Sequence, residues 1–372
     1  MSTDDLRRTS VGRMRSVEGA RGVAAFIVVL MHAANLMAVE HFSGHVGLGG
    51  IFGFGYVGVD FFFVLSGFII SFVHFGDIGK PRRMGFYLSR RIFRIYPIYL
   101  FCLSLSVLVL LAGRFVLHKD TPLGFTVSDV AGTIFLLPVS EPQFVGVAWS
   151  LQFEIMFYAL FAILILSKRF GVGLFSLWAA VIVWRLLFFP SIPSFGGFLS
   201  AYSLQFLFGV VTGVTMSTRD FKWVGKPMLV LGIAGFAAAA YYERYLAVIP
   251  HGALGQVFLG LSAAVILFSL VEMEKSKVIQ TPGFMYKLGS ISYSIYLSHI
   301  IFINLIYSVM LKLGIYQRLP ELVIFIIAVL GALACASLIG FLVELPFAKW
   351  IKGLAKAKEP RPEGVSISNM QP

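Results

Sequence analysis

Residues 22–39 read GVAAFIVVLMHAANLMAV, and His32 is the one ionisable side chain in this apolar run. A helix needs roughly 20 such residues to cross the hydrocarbon core of a bilayer. The rest of the chain has the same character, since 58% of its 372 residues are hydrophobic and only 13% are charged. Soluble domains carry about 25% charged residues. A soluble fold of this length could not bury so much apolar surface. The sequence therefore predicts an all-α, polytopic membrane protein and excludes a soluble globular domain.

Further apolar runs follow along the chain and set the number of crossings. A run of about 17–25 residues is long enough to cross. Residues 129–138 are too short and end at Pro138, which indicates a re-entrant or interfacial segment. No internal repeat is evident, which disfavours a transporter built from inverted repeats. We predict ten transmembrane helices, near residues 22–39, 56–73, 96–115, 149–166, 171–189, 201–216, 227–246, 255–271, 289–311 and 322–345.

The basic residues indicate the orientation of the chain. With ten crossings, 24 of the 30 Lys and Arg residues fall in segments on one side, 5 fall on the other, and Arg185 lies within a span. Lys and Arg accumulate in cytoplasmic loops, so both termini are predicted to be cytoplasmic. We expect a basic N-terminus at 1–16, a transmembrane domain at 17–346 and a disordered tail at 347–372. The net charge of +12 is then explained by anionic membrane lipid, and no nucleic acid partner is expected.

Two ionisable residues share one face of the first span. Arg21 and His32 are eleven residues apart, which is three helical turns plus about 20° and a rise of about 16 Å. Ionisable side chains are costly in lipid, so each one is a candidate for function. The structural alternative is a histidine hydrogen-bonded to a neighbouring helix and an arginine that extends to the membrane surface. The alignment of the two residues favours function.

Two later spans carry polar residues of the same kind. In the second span Asp60 requires a partner, whereas Ser66 beside Gly67 is also explained by close helix packing. In the fourth span Ser150 and Glu154 share a face at i, i+4, near the predicted outer surface. An interhelical ion pair is the structural alternative for Glu154. Both carboxylates are therefore candidates for a site within the membrane.

Polar residues also mark the last two spans. The ninth span places Tyr293, Tyr296 and His299 at successive i, i+3 positions. An interfacial aromatic belt would account for the tyrosines but not for the histidine. Near the end of the last span Glu344 stands two residues before Pro346, where a salt bridge at a helix end is the simplest interpretation.

A basic segment lies between the second and third spans. It reads KPRRMGFYLSRRIFRIYPIYL at residues 80–100 and places Arg91 and Arg94 at i, i+3 on a predicted short helix that ends before Pro97. Arginine binds phosphate groups bidentately. The alternative is that these arginines only anchor the loop at the cytoplasmic face. The residues alone favour neither interpretation.

Five segments together resemble one family. They are EGARGVAAFIVVLMHA at 18–33, GYVGVDFFFVLSGFIIS at 55–71, SRRIFRIYP at 89–97, WSLQFEIMFY at 149–158 and SYSIYLSH at 292–299. In this order they resemble the membrane-bound acyltransferase-3 family, which includes O-acetyltransferases of bacterial surface polysaccharides and of some antibiotics. An arginine with ten residues before a histidine is the family hallmark, and Arg21 and His32 match it. One departure is Ala20, where the family usually has Leu.

The resemblance implies ten spans, cytoplasmic ends and transfer of an acyl group, usually acetyl from acetyl-CoA, to a carbohydrate hydroxyl. It implies an enzyme of the bacterial cytoplasmic (inner) membrane that needs no metal ion and modifies an exopolysaccharide, lipopolysaccharide or similar lipid-linked glycan at the outer side. The expected catalytic residues are His32, Arg21 and Glu154; the expected acyl-CoA-binding residues are Arg90, Arg91 and Arg94; and the expected substrate-binding or supporting residues are Asp60, Ser66, Trp149, Ser150, Tyr296 and His299.

Each of the three expected catalytic residues has a proposed task. Arg21 holds the donor or stabilises charge at the thioester oxygen. His32 acts as general base for the acceptor hydroxyl or, as an alternative, as a transient acyl carrier. Glu154 orients the histidine tautomer or holds the sugar.

Two other functions use the same residues. A proton-coupled transporter would employ Arg21, His32 and Glu154 as an intramembrane relay and would show flux without acyl-CoA turnover. The missing repeat and the arginine cluster count against it. An inactive scaffold of a polysaccharide assembly would leave the intramembrane charges without a role.

Overall fold

The computed structural model describes residues 14–39, 42, 48–115, 126–137, 144–189, 194, 197–219, 221, 225–246 and 252–357. Regular structure in these residues is helical throughout and includes no strand, which confirms the all-α class. Apart from the four-residue helical turn Gly49–Phe52, the α-helices, numbered in chain order, are α1 (Arg15–Met37), α2 (Val57–Val73), α3 (Met84–Phe115), α4 (Val127–Phe135), α5 (Trp149–Leu166), α6 (Lys168–Phe188), α7 (Ala201–Thr218), α8 (Gly225–Tyr241), α9 (Ala253–Lys275), α10 (Gly283–Ser290), α11 (Ser292–Lys312), α12 (Glu321–Ile339) and α13 (Leu345–Ala357).

Eight helical stretches within the described ranges are long and apolar enough to cross a membrane. The chain is therefore a multi-pass membrane protein. The two predicted spans outside this set, near 201–216 and 227–246, coincide with α7 and α8. Their crossing stays a prediction, as does the cytoplasmic location of both termini.

The short apolar segment that was predicted not to cross forms helix α4. This helix has 9 residues, which is about 14 Å of rise and less than half of the hydrocarbon thickness. A capping box fixes its start, because the Thr126 hydroxyl accepts from the Asp129 N–H at 3.2 Å and the Asp129 carboxylate accepts from the Thr126 N–H at 3.0 Å. These bonds hold the pKa of Asp129 below its usual range. Pro138, the predicted end of the segment, lies outside the described residues.

Two boundaries differ from the sequence prediction. Helix α3 continues through Pro97, so the predicted helix end before this proline is wrong. A proline inside a helix removes one backbone hydrogen bond, and neighbouring helices make this tolerable in membrane proteins. Residues 347–357 of the predicted disordered tail are helical in α13, where Phe347 and Trp350 alternate with lysines in an amphipathic pattern. Residues 358–372 lie outside the described part.

Glycines bring α2 and α7 into direct backbone contact. A methyl group at Gly67 would lie 2.0 Å from the Phe206 carbonyl oxygen, and one at Gly209 would lie 1.9 Å from the Val64 carbonyl oxygen. No side chain fits at either position. Close packing is therefore the role of Gly67, as one of the two interpretations of the second span predicted.

Helix α1 is held against α10 and α11 in a similar way. A methyl group at Gly289, the last but one residue of α10, would lie 1.7 Å from the Glu18 carbonyl oxygen. Further along α1, the Tyr307 hydroxyl of α11 donates to the Ala33 carbonyl oxygen at 3.0 Å. These contacts fix the face of α1 that carries both Arg21 and His32.

Candidate active site

A cavity of about 380 Å³ lies between α1, α2, α3, α5, α11 and the turn before α13. Its volume falls within the roughly 300–1,000 Å³ of ligand-binding pockets. Much of the wall is apolar, with Phe62, Phe63 and Phe157 among its residues. Its charged residues come from four separate segments: Glu18, Arg21, Arg90, Arg91, Arg94, Glu154 and Glu344. Four arginines against three carboxylates suit an anionic ligand.

The arginines from α3 are held over aromatic rings. The guanidinium carbon of Arg91 lies 5.5 Å from the ring centre of Tyr158, and that of Arg94 lies 5.8 Å from the ring centre of Tyr293. A cation over an aromatic face is stabilised while its N–H groups stay available. The buried Arg91 Nε has no hydrogen-bond partner among the described residues. The structure thus places Arg90, Arg91 and Arg94 at one cavity; their binding of acyl-CoA stays a prediction.

The predicted pair on α1 is divided between two places. Arg21 lines the cavity and forms an ion pair with Glu18 at 3.0 Å. His32 is not among the residues that line this cavity. It contacts a second histidine, His299 of α11, across a separation of 3.2 Å between Nδ1 of His32 and Nε2 of His299.

The hydrogen bonds of the histidine pair define the tautomers. The Val28 carbonyl oxygen lies 3.0 Å from His32 Nδ1, and the Ile295 carbonyl oxygen lies 3.0 Å from His299 Nδ1. A carbonyl oxygen only accepts, so both Nδ1 atoms carry the proton. His299 Nε2 then accepts from His32 Nδ1–H, and His32 Nε2, which has no hydrogen bond to a described residue, keeps its lone pair. The arrangement makes His32 Nε2 the basic atom of the pair.

Glu154 does not orient this histidine, contrary to one of its two predicted tasks. The Glu154 carboxylate lines the cavity and accepts from the Tyr158 hydroxyl at 2.5 Å. Tyr158 also lies under Arg91, and its carbonyl oxygen accepts from the Tyr87 hydroxyl at 3.0 Å. The sequence could not show this because the tautomer of His32 is set by a backbone carbonyl one turn away and by a residue 267 positions later in the chain.

A short polar row joins the cavity to the histidine pair. Ser150 and Tyr296 both line the cavity, and their hydroxyl oxygens are 2.9 Å apart. The ring of Tyr296 is 6.1 Å from the ring of His299, centre to centre. Ser66 also lines the cavity, so its predicted supporting position is consistent with the geometry. The row places the cavity one helical turn from His299.

Two predicted supporting residues lie elsewhere. Asp60 is 1% exposed and accepts from the Gln205 side-chain amide at 2.5 Å, which supplies the partner that the sequence required. Trp149 belongs to an aromatic cluster in which its ring lies 5.6 Å from Tyr202 and 6.0 Å from Phe153. Neither Asp60 nor Trp149 lines the cavity.

Sequence reasoning missed three of the cavity residues as members of a site. Tyr158 and Tyr293 carry the arginines, and Glu344 was interpreted as one half of a salt bridge at a helix end. No salt bridge of Glu344 is present within the described part of the chain; its carboxylate accepts from the backbone and the hydroxyl of Ser294 instead. Its spacing before Pro346 is the one feature of the sequence that set it apart.

The fold and the cavity define a multi-pass helical membrane protein with a charged cavity inside the bundle. The chain belongs to the acyltransferase-3 family, whose sequence profile describes an acyltransferase domain and matches residues 14–341. No solved structure matches the chain.

Two relatives come from rhizobia. The chain is 28% identical over 280 residues to the exopolysaccharide production protein ExoZ of Rhizobium meliloti (strain 1021), which covers 71% of this chain and 81% of that protein. It is 30% identical over 163 residues to protein 2 in the picA locus of Rhizobium radiobacter, which covers 39% of this chain and 79% of that protein. Family membership and these likenesses agree with the resemblance that the five sequence segments indicated.

Proposed function

We propose that this protein is an O-acyltransferase of the bacterial cytoplasmic membrane. It transfers an acyl group, acetyl in the simplest case, from acyl-CoA on the cytoplasmic side to a carbohydrate hydroxyl that is reached from the outer side. The observation that carries the proposal is one cavity with four arginines from which Ser150 and Tyr296 form a polar row toward His299 and, in contact with it, His32.

The arginines suit the phosphate groups of acyl-CoA. Arg90, Arg91 and Arg94 stand in the segment that the positive-inside rule assigns to the cytoplasm, where acyl-CoA is made. A guanidinium group binds phosphate oxygens with two parallel hydrogen bonds, and Arg91 Nε is free to donate one. Phosphates at these residues direct the pantetheine arm and its thioester along the apolar wall toward Tyr296.

The transfer step follows from the tautomer of His32. His32 Nε2 takes the proton of the acceptor hydroxyl while the hydroxyl oxygen forms a bond to the thioester carbonyl carbon. The carbon–sulfur bond then breaks, and the CoA thiolate leaves and receives the proton from His32. The ester of the acceptor and free CoA are the products, and His32 returns to its neutral form. His299 keeps the imidazole of His32 oriented throughout the step.

The acceptor is proposed to be a surface or exported polysaccharide. The name of one relative states that it acts in exopolysaccharide production. The partly exposed rings of Trp149, Phe153 and Tyr202 form a cluster next to Ser150, the residue that begins the polar row toward His32. Flat aromatic faces with a few polar groups beside them are suited to sugar rings.

The test is mass spectrometry of surface glycans from cells without the gene, complemented with the wild type or with His32→Ala. Wild type is expected to restore a mass gain of one acyl group per modified hydroxyl, and the variant is expected to restore none at equal abundance in the membrane. A normal acyl content with His32→Ala would refute the proposed mechanism.

A further inference from the structure

Glu344 occupies an unusual place in the backbone. It ends a π-helical turn, Gly340–Glu344, that joins α12 to α13. Such turns are rare and concentrate at functional sites, because they redirect a side chain that a regular helix would aim elsewhere. The side chain is 5% exposed and lines the cavity. The π-helical turn thus places a third carboxylate, beside those of Glu18 and Glu154, in a cavity with four arginines.

One oxygen of this carboxylate is committed to the fold. Glu344 Oε2 accepts from the backbone N–H of Ser294 at 3.0 Å and from its hydroxyl at 2.7 Å. Ser294 lies in the first turn of α11, where backbone N–H groups lack partners within the helix. The carboxylate therefore caps α11 from a different segment, and these two hydrogen bonds fix its orientation.

The other oxygen has no partner. Glu344 Oε1 is buried and makes no hydrogen bond to any described residue. Arg94 is a candidate cation, because it lines the same cavity and lies over Tyr293, the residue before Ser294. No ion pair within 4.0 Å joins Arg94 to Glu344. A buried charged acceptor without a donor is unfavourable, so the site is complete only when a ligand supplies the donor.

The need for a hydrogen-bond donor at Glu344 Oε1 limits the ligand groups that can bind there. A phosphate group would be repelled by the carboxylate, whereas an amide N–H would donate to it. In acyl-CoA the arm next to the phosphates carries two amides, and Glu344 lies beside the arginines proposed to bind those phosphates. We infer that Glu344 Oε1 binds an amide N–H of the pantetheine arm of the acyl donor. This inference rests on the proposed function.

The experiment compares two donors on the full-length protein in lipid nanodiscs, without acceptor. Acetyl-CoA has phosphates and the arm, whereas S-acetylpantetheine has the arm alone. Glu344→Gln preserves an oxygen for Ser294 but presents an N–H, in place of an acceptor, to the cavity. It is expected to weaken binding of both donors by a similar factor of about ten, as for one hydrogen bond to a charged group. Glu321→Gln, the same change at the start of α12, is expected to weaken neither.

The outcomes separate the two proposals. If the wild type binds neither donor, the proposed function itself fails. If the wild type binds both but Glu344→Gln binds them equally well, or loses only acetyl-CoA, the inference about the arm is wrong while the proposed function stands. If Glu344→Gln does not fold, the wild type is tested with S-acetylpantetheine methylated at its amide nitrogens, and unchanged affinity for this probe would overturn the inference.

Discussion

Replacing His299 by Phe tests whether His32 is the general base of the histidine pair and His299 only orients it. His299 is fully buried, and Phe keeps the ring while removing both of its hydrogen bonds, to Ile295 and to His32. Each such bond contributes about 0.5–1.5 kcal/mol, so the free energy of unfolding should fall by about 1–3 kcal/mol. The Ile295 carbonyl keeps its helical hydrogen bond, which limits the loss.

His299→Phe should lower kcat only slightly, because the change leaves the tautomer of His32 intact. His32 Nδ1–H still has the Val28 carbonyl oxygen as an acceptor at 3.0 Å, so His32 Nε2 keeps its lone pair. The loss of one orienting bond of about 1 kcal/mol corresponds to a decrease of about fivefold in kcat. By contrast, His32→Phe removes the proposed general base and should cost about 10²–10⁴ in kcat.

The assay is acetyl transfer by both variants in proteoliposomes over a range of acetyl-CoA concentrations that reaches saturation, normalised to the folded fraction from thermal melting. His299→Phe is expected to lower kcat only and to leave KM for acetyl-CoA unchanged, because His299 does not line the cavity. Equal losses of kcat in the two variants would show that the proton is taken by His299 or by the pair as a unit, and the assignment of His32 Nε2 would be wrong.

Two further variants test the packing and the donor site. Gly67→Ala should destabilise the protein by at least about 1–3 kcal/mol, the usual cost of overpacking, because the new methyl group would lie 2.0 Å from the Phe206 carbonyl oxygen. The control is Gly113→Ala, whose methyl group would meet nothing within 4 Å. Equal melting temperatures of the two variants would contradict the close contact. Arg91→Gln should raise KM for acetyl-CoA about tenfold or more, as for a lost charged hydrogen bond. The control, Arg318→Gln at an exposed position, should leave this KM unchanged. An unchanged KM in Arg91→Gln would show that Arg91 does not bind the donor.

The helices were predictable because lipid imposes a strong and local rule. Every backbone group must be satisfied within its own segment, so a long apolar run is a helix whatever its neighbours are. This is why all ten predicted spans are helical and why the segment before Pro138 forms a short helix. Pro97 was misjudged because the rule for soluble helices, in which proline ends the helix, is relaxed where neighbouring helices pack around it.

The site was predictable only where its residues belong to one helix. The i, i+3 spacing of Arg91 and Arg94 placed them together correctly. The contact of His32 with His299, and the capping of α11 by Glu344, depend on helices that are distant in the chain. Spacing within a segment carries no information about which segment lies opposite, so Glu344 looked like half of an ordinary ion pair.

Helix α11 connects the two ends of the proposed reaction. Its first turns carry Tyr293 under Arg94, Ser294 on Glu344, Tyr296 on Ser150 and finally His299 on His32. From Tyr293 to His299 the helix rises about 9 Å, so the proposed phosphate-binding end is separate from the proposed place of acyl transfer. A donor whose reactive thioester is separated from its phosphates by a long arm meets this requirement, and a short acyl phosphate does not. Together with the position of the arginines, the spacing of residues along this helix supports the proposal of acyl-CoA over a compact acyl donor.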